Sequence, residues 1–406
     1  MKNLFLAIFL LLAPCSSFLV QAQEQVRVWK QGDSKRFTTS ELVFAEDGAS
    51  FSVADSTYDC AKIDSITVVH TVTVTFAGDT AYVDLGHAPF VTSTVEGAHV
   101  NLLSTNTKSE LEFVVQGESS HGSLTYDGPL KCKFYLNGLN LTSDKGAAID
   151  IQCGKRVDLI LKEGTENILA DAAGGTQKAA LYCKGHLEVS GSGNLTVTGN
   201  ANHAIATKEY LELKKSTGKI TVNKAVSDAM HIGQYFLMSG GTVIINGQGA
   251  DGIQVEIKTL DDDITPDPTK ENNGMVFIRG GKLNITASAI CAKGIKAPSN
   301  MTVSGGIFTI DAVGNGSRGI QVAGNMLINQ DDNPTAMTIK ALGTTYEDEE
   351  TEEDTRCMGI KVKGNLTINA GTILVSNKGK YSYGIKVDGV YTKSPNAVVQ
   401  ANIKTE

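Results

Sequence analysis

The chain has 406 residues, of which 36 are basic and 44 acidic, for a net charge of −8. A nucleic-acid binder needs a clear basic excess, and this balance excludes that class. Forty-two glycines among frequent Val, Ile and Thr favour many short strands joined by tight turns over helices.

Residues 1–22 read as a secretory signal peptide. Lys2 precedes an apolar run from Leu4 to Ala13, and Val20-Gln21-Ala22 supplies a small-residue cleavage pattern. The run is too short to span a bilayer, and no later stretch approaches the roughly twenty apolar residues a membrane helix needs. Pro14 before Cys15 argues against lipid attachment. The expected location is extracellular, cell-surface or periplasmic. Residues 23–68 form a small N-terminal β module that carries the single tryptophan, Trp29, and ends in Ile63-Asp64-Ser65-Ile66-Thr67. A stack of coils needs such a cap, because its first coil otherwise exposes a sheet edge.

Residues 69–406 make up the main domain. Strands over 109–116, 123–126 and 131–136 open it as irregular early coils. A motif of small residue, aliphatic, any residue, apolar then recurs, from Ala148-Ile149-Asp150-Ile151 to Gly384-Ile385-Lys386-Val387. Its central aliphatics fall at 149, 181, 205, 230, 253, 295, 320, 360 and 385, giving a basal period of 23 to 25 residues with insertions in the longer intervals. Each period holds two more strand-like runs, such as Leu187-Glu188-Val189 and Leu195-Thr196-Val197. Gly191-Ser192-Gly193, Gly240-Gly241, Gly280-Gly281 and Gly305-Gly306 are expected as the turns between them. Three alternating strands per period predict an all-β, single-stranded right-handed parallel β-helix of about 24 residues per coil. Ala or Gly before each aliphatic suits a tight corner.

The outward columns are free to carry function. One lies two residues before each aliphatic and contains His203, Asp228, Asp251, Lys293 and Arg318; another lies one residue after it and contains His231, Gln254, Lys296, Gln321, Lys361 and Lys386. Asp228 and Asp251 are expected on adjacent coils, about one strand spacing apart. Two such carboxylates need a cation between them, and Ca2+ is the natural hard-oxygen partner. The insertion after Asp251 adds Glu256, Asp261, Asp262, Asp263 and Asp267 to the region. The metal set is therefore Asp228, Asp251, Asp261 and Asp263; the plain alternative is solvated turn residues partnered by Lys293. The expected carbohydrate-binding set is His203, His231, Gln254, Lys293, Lys296, Arg318, Gln321, Lys361 and Lys386. Its basic C-terminal half suits an extended acidic polymer such as a uronic-acid glycan, against the simpler reading of solubility lysines.

The remaining signals are weak. Cys60, Cys132, Cys153, Cys183, Cys291 and Cys357 show no metal-binding spacing, and buried thiols are favoured over disulfides. No nucleophile elbow is present. The Asn-X-Thr sequons at Asn194, Asn284 and Asn365 fall where the repeat wants a turn Asn and a strand Thr, and the acidic run Glu347 to Asp354 reads as a solvated loop.

Tyr135 to Ser143 followed by Gly146-Ala147-Ala148-Ile149, Val157 to Gly164, Leu187 to Val197 and Asp251-Gly252-Ile253 resemble a bacterial secreted carbohydrate-binding β-helix family. The resemblance spans residues 72–390. It implies export, binding of acidic plant polysaccharide such as polygalacturonate (and sometimes cellulose), bound calcium, and an architecture similar to family 9 polysaccharide lyases. The family places an Asp-Asp-Gly-Ile turn on several coils. Here Asp228-Ala229-Met230 and Asp251-Gly252-Ile253 keep one aspartate each, whereas Lys293, Arg318, Met358 and Tyr383 replace it. The ending at Ile63 to Thr67 resembles leader modules of exported proteins from gut-type bacteria.

Three functions remain open on the sequence: a non-catalytic polysaccharide-binding protein, a calcium-dependent polysaccharide lyase with Lys293 as base, and a surface adhesin or scaffold for protein partners.

Overall fold

A computed structural model describes residues 25–261, 263–347, 354–379 and 382–405. The expected signal peptide, Cys15, Asp262 and residues 348–353 lie outside them. The chain divides into two compact units, one through Val69 and one from His70. Among the described residues no helix is long and apolar enough to cross a membrane.

In the first unit, Gln25–Lys30 pairs antiparallel with Asp33–Thr38 around Gln31-Gly32. Both turn residues have positive φ, 53° and 84°, as a two-residue hairpin of matching twist requires. Gln25–Lys30 also pairs antiparallel with the start of Ser65–Ala77. Val43–Phe44, Ser50–Val53 and Ser56–Asp59 make a second, three-stranded sheet. Phe51 and Tyr58 are direct cross-strand partners with rings stacked at 5.0 Å. With Val28 and Val53 buried beside Phe51, they form this unit's own small core.

The second unit begins with antiparallel pairs, Ser65–Ala77 with Thr80–Asp84 and Val91–Glu96 with His99–Ser104. Parallel pairing then takes over. In one ladder the repeat's central aliphatics are register partners from coil to coil: Ile149 with Leu181, Leu181 with Ile205, Ile205 with Met230, and Met230 with Ile253. The series continues through Ile295, Ile320, Ile360 and Ile385. This ladder is a 13-stranded sheet. Its aliphatics point into one core shared with the other strand runs, and most have no exposed surface.

The expected single-stranded right-handed parallel β-helix with three separate strands per coil is corrected here. The chain is all-β, but the other two strand runs of each period do not form sheets of their own. They merge into a 22-stranded sheet that turns round the enclosed core, and among the described residues two small antiparallel sheets make up the rest. The physical reason lies in the glycine pairs. Gly280-Gly281 and Gly305-Gly306, expected as turns, sit inside the long strands Val276–Ala287 and Met301–Ala312. Gly281 and Gly306 have φ of 91° and 113°, which lets the backbone bend with a bulge while hydrogen bonding continues on both sides.

The small residue before the aliphatic sits in a bend ahead of the strand at Ala148, Ala229 and Gly252, as the expected corner requires, but in the later coils it has a different cause. Gly294, Gly319 and Gly359 lie within strands. A Cβ on any of them would fall 2.6 Å from the carbonyl oxygen of the corresponding glycine on the next coil. Close passage of neighbouring strands therefore excludes a Cβ at these three glycines.

Candidate functional site

The outer face of the 13-stranded sheet carries the second outward column in continuous register. Ala206 pairs with His231, His231 with Gln254, Gln254 with Lys296, Lys296 with Gln321, Gln321 with Lys361, and Lys361 with Lys386. Lys293 and Arg318 are partners in the other column. The alternation of each strand fixes these side chains outward, because the residues on either side of Lys296, Gln321 and Lys386 are buried.

Along the first column the side chains serve the backbone. Asp228 N–H donates to His203 Nδ1 at 3.2 Å, Asp251 N–H to Asp228 Oδ1 at 2.8 Å, and Lys293 N–H to Asp251 Oδ1 at 2.8 Å. Asp228 and Asp251 are thereby almost wholly buried, 3% and 4% exposed, with the demands of their backbones met.

The two aspartates differ in what else they meet. Asp228 Oδ2 lies 2.8 Å from His231 Nδ1 and 3.4 Å from His203 Nδ1, and the two imidazoles stack at 4.2 Å. His231 Nε2 lies 3.2 Å from Glu256. Burial lowers the pKa of His231, but its bonds to Asp228 and Glu256 outweigh this and lift it to about 9. His203 drops to about 4, through burial first and the His231 charge second. At neutral pH His231 is the cation and His203 the neutral acceptor. Asp251 instead faces ammonium groups, Lys296 at 3.5 Å and Lys293 at 3.9 Å. Burial still raises its pKa and lowers that of Lys293.

This donor set does not match calcium. Nitrogen surrounds Asp228, and cations surround Asp251, where calcium wants several hard oxygens. Among the described residues, the His, Cys, Asp and Glu group whose ligand atoms come within 4.8 Å of one another is His203, Asp228 and His231. Asp251 is not part of it. Asp261 and Asp263 are exposed on the insertion and also stand outside it.

The basic stripe is partly neutralised. Lys296 Nζ donates to Gln254 Oε1 at 3.2 Å, and Arg318 Nη1 donates to Gln321 Oε1. Lys361 is bonded to Asp388, and Lys386 Nζ lies 3.5 Å from the same carboxylate. The sequence reading missed Asp388 and the specific place of Glu256. Both stand three residues after a central aliphatic and reach back to the residue one after the aliphatic on the preceding coil. Reading that third column beside the second would have found them.

A second missed feature is a stack of rings, His186 on Tyr210 at 4.4 Å and Tyr210 on Tyr235 at 4.6 Å. Since each ring covers the face of its neighbour, this is a packing column and not a flat sugar platform. Upstream, Asp150, Gln152, Lys178 and Tyr182 line a cavity of about 350 Å³.

Residues 97–389 match the family described as carbohydrate-binding domain-containing protein, and the chain belongs to that family. A carbohydrate-binding domain-containing protein of Acetivibrio thermocellus is 35% identical over 95 residues, covering 21% of this chain and 32% of that protein. The chain thus spans about a third of that relative's length. The solved structure of a polysaccharide lyase-like protein from C. thermocellum, a gadolinium derivative, is similar with 20% identity and a TM-score of 0.45, covering 81% of this chain and 100% of that one.

Proposed function

We propose that this member of the carbohydrate-binding family is an exported, non-catalytic binder of acidic, uronic-acid polysaccharide. The observation behind the reading is the registered column Gln254, Lys296, Gln321, Lys361, Lys386, in which Lys361 is buried against Asp388 and the other four side chains reach the surface. Rungs repeat roughly every 4.8 Å, so ammonium and amide groups succeed one another along a line that an extended polyanion can follow. Lys296, Lys361 and Lys386 each have an acidic partner within the chain, so a polyanion would bind by sharing or replacing Asp251 and Asp388.

Calorimetric titration with polygalacturonate, in parallel with its fully methyl-esterified form, tests this. Saturable binding of the acid form that weakens with salt supports the proposal. Equal binding of both forms would move the specificity to neutral sugar, and no binding of either would end the reading.

Burial of Lys293 beside Asp251 favours a second reading, a lyase with Lys293 as base. Unsaturated products appearing in the same titration mixtures, and lost in Lys293→Ala, would support it.

A further inference from the structure

We infer that His203, Asp228 and His231 form a binding site for a divalent transition metal of the zinc type, held by His203 Nδ1, Asp228 Oδ2 and His231 Nδ1. The three side chains come from successive coils and the corner between them. Asp228 Oδ2 lies 3.4 Å from His203 Nδ1 and 2.8 Å from His231 Nδ1. A tetrahedral zinc ion with bonds of about 2.0–2.1 Å has ligand-to-ligand edges of about 3.3 Å, against 3.4 and 2.8 Å here, and the two imidazoles, stacked at 4.2 Å, turn their Nδ1 atoms toward a common point when they take up the ion. Two imidazoles and one carboxylate are borderline donors that suit zinc, cobalt or nickel and discriminate against calcium.

A second observation points the same way. His231 hands its other nitrogen, Nε2, to Glu256 at 3.2 Å. Metal-bound imidazoles commonly donate their far N–H to a carboxylate, which fixes ring orientation and strengthens the donor. Glu256 stands in that outer position, and its own side chain is half exposed. A backbone bond locks Asp228 in place, since its Oδ1 is taken by Asp251 N–H, while Oδ2 faces both imidazoles and is bonded to His231 Nδ1 until an ion displaces that proton. His203 and His231 retain 12% and 22% side-chain exposure, which leaves an approach for the ion and for a fourth ligand from solvent. On binding, the ion takes the place of the proton on His231 Nδ1, which leaves to solvent. The long 3.2 Å contact from Asp228 N–H to His203 Nδ1 yields at the same time.

The test is titration of the chelator-washed full-length chain with Co2+, read by visible absorption, and with Zn2+, read by calorimetry. One equivalent of Co2+ with the intense absorption of a tetrahedral site is expected, displaced by Zn2+ and not by Ca2+. His203→Asn and His231→Gln should each abolish the absorption while far-ultraviolet circular dichroism stays unchanged. Glu256→Gln leaves all three donors in place and should weaken Zn2+ by about 10- to 100-fold, so it carries the test if a histidine variant folds poorly. No Co2+ or Zn2+ bound at micromolar concentration, or affinities unchanged in His203→Asn and Glu256→Gln, would overturn the inference. Glycan binding is measured separately, so its failure leaves the metal result standing.

Discussion

The side-chain Oδ1 of Asn325 accepts the backbone N–H of Asn365 at 2.8 Å, and Asn365 does the same for Val390 at 2.9 Å. Asn300 serves Asn325 at 2.8 Å one coil earlier. The three asparagines thus bind one corner of four successive coils. Asn365→Ala is expected to cost about 1 kcal/mol, since the bond is neutral and open to water. Amide exchange at Val390 should accelerate severalfold, and Asn365→Asp, which keeps the acceptor, should restore protection. Unchanged exchange at Val390 in the alanine variant would remove the ladder's role.

Glu188 gives a pH-dependent counterpart. Burial raises its pKa, but the Tyr210 hydroxyl at 2.7 Å and the Lys214 ammonium at 2.9 Å outweigh this and hold it below the usual range. A carboxyl lowered on folding stabilises the fold above its unfolded pKa, and that gain is lost as pH falls through the folded value. Tyr210→Phe should therefore cost about 1.5–3 kcal/mol near neutrality. The gap to the parent should close as the pH is taken below the folded pKa. Urea melts across a pH series measure it, and a gap that stays constant into acid rules the explanation out.

Asp388 neutralises both Lys361 and Lys386. If those lysines bind a polyanion, Asp388→Asn should improve its affinity by about fivefold, roughly 1 kcal/mol, with a steeper dependence on salt. Lys361→Gln in the same background should reverse the gain. Weaker binding in Asp388→Asn would mean that the carboxylate itself contacts the sugar.

None of the six described cysteines forms a disulfide, and Cys132, Cys153, Cys183 and Cys357 are buried. The bond from Cys132 brings the Cys153 pKa down to about 7, against burial that raises it. Access still governs, because Cys153 has no exposed surface. Brief alkylation of the native chain should label Cys60 and Cys291 first. Labelling of Cys153 at the rate of Cys60 would show that the core opens there.

The period was legible because one column is almost uniformly aliphatic, and stacking at fixed register demands that. It placed Ile149 through Ile385 as successive partners without error in order. What it could not give was the fate of Gly280-Gly281 and Gly305-Gly306. A glycine pair reads the same whether the chain turns or a strand bends through it, and here the ladder continues. At the site, the columns brought His203, Asp228, Asp251 and His231 into one neighbourhood, as spacing alone can do. Which atom faces which was out of reach. Asp228 and Asp251 spend an oxygen each on backbone N–H groups, a use that leaves no trace in composition.

The side-chain acceptors along these corners share a direction. In every case named, from His203 to Asp251 and from Asn300 to Asn365, the acceptor is on the earlier coil and the N–H on the later one. The two ends of the stack are therefore unequal. Trimming coils from the C-terminal side strands acceptors that can rotate toward water. Trimming from the N-terminal side strands backbone donors, including the buried N–H of Asp251, that have nowhere to turn. At these corners a chain made from its N-terminus forward meets the new coil with its acceptors already in place, so the finished corner serves as the mould for its successor.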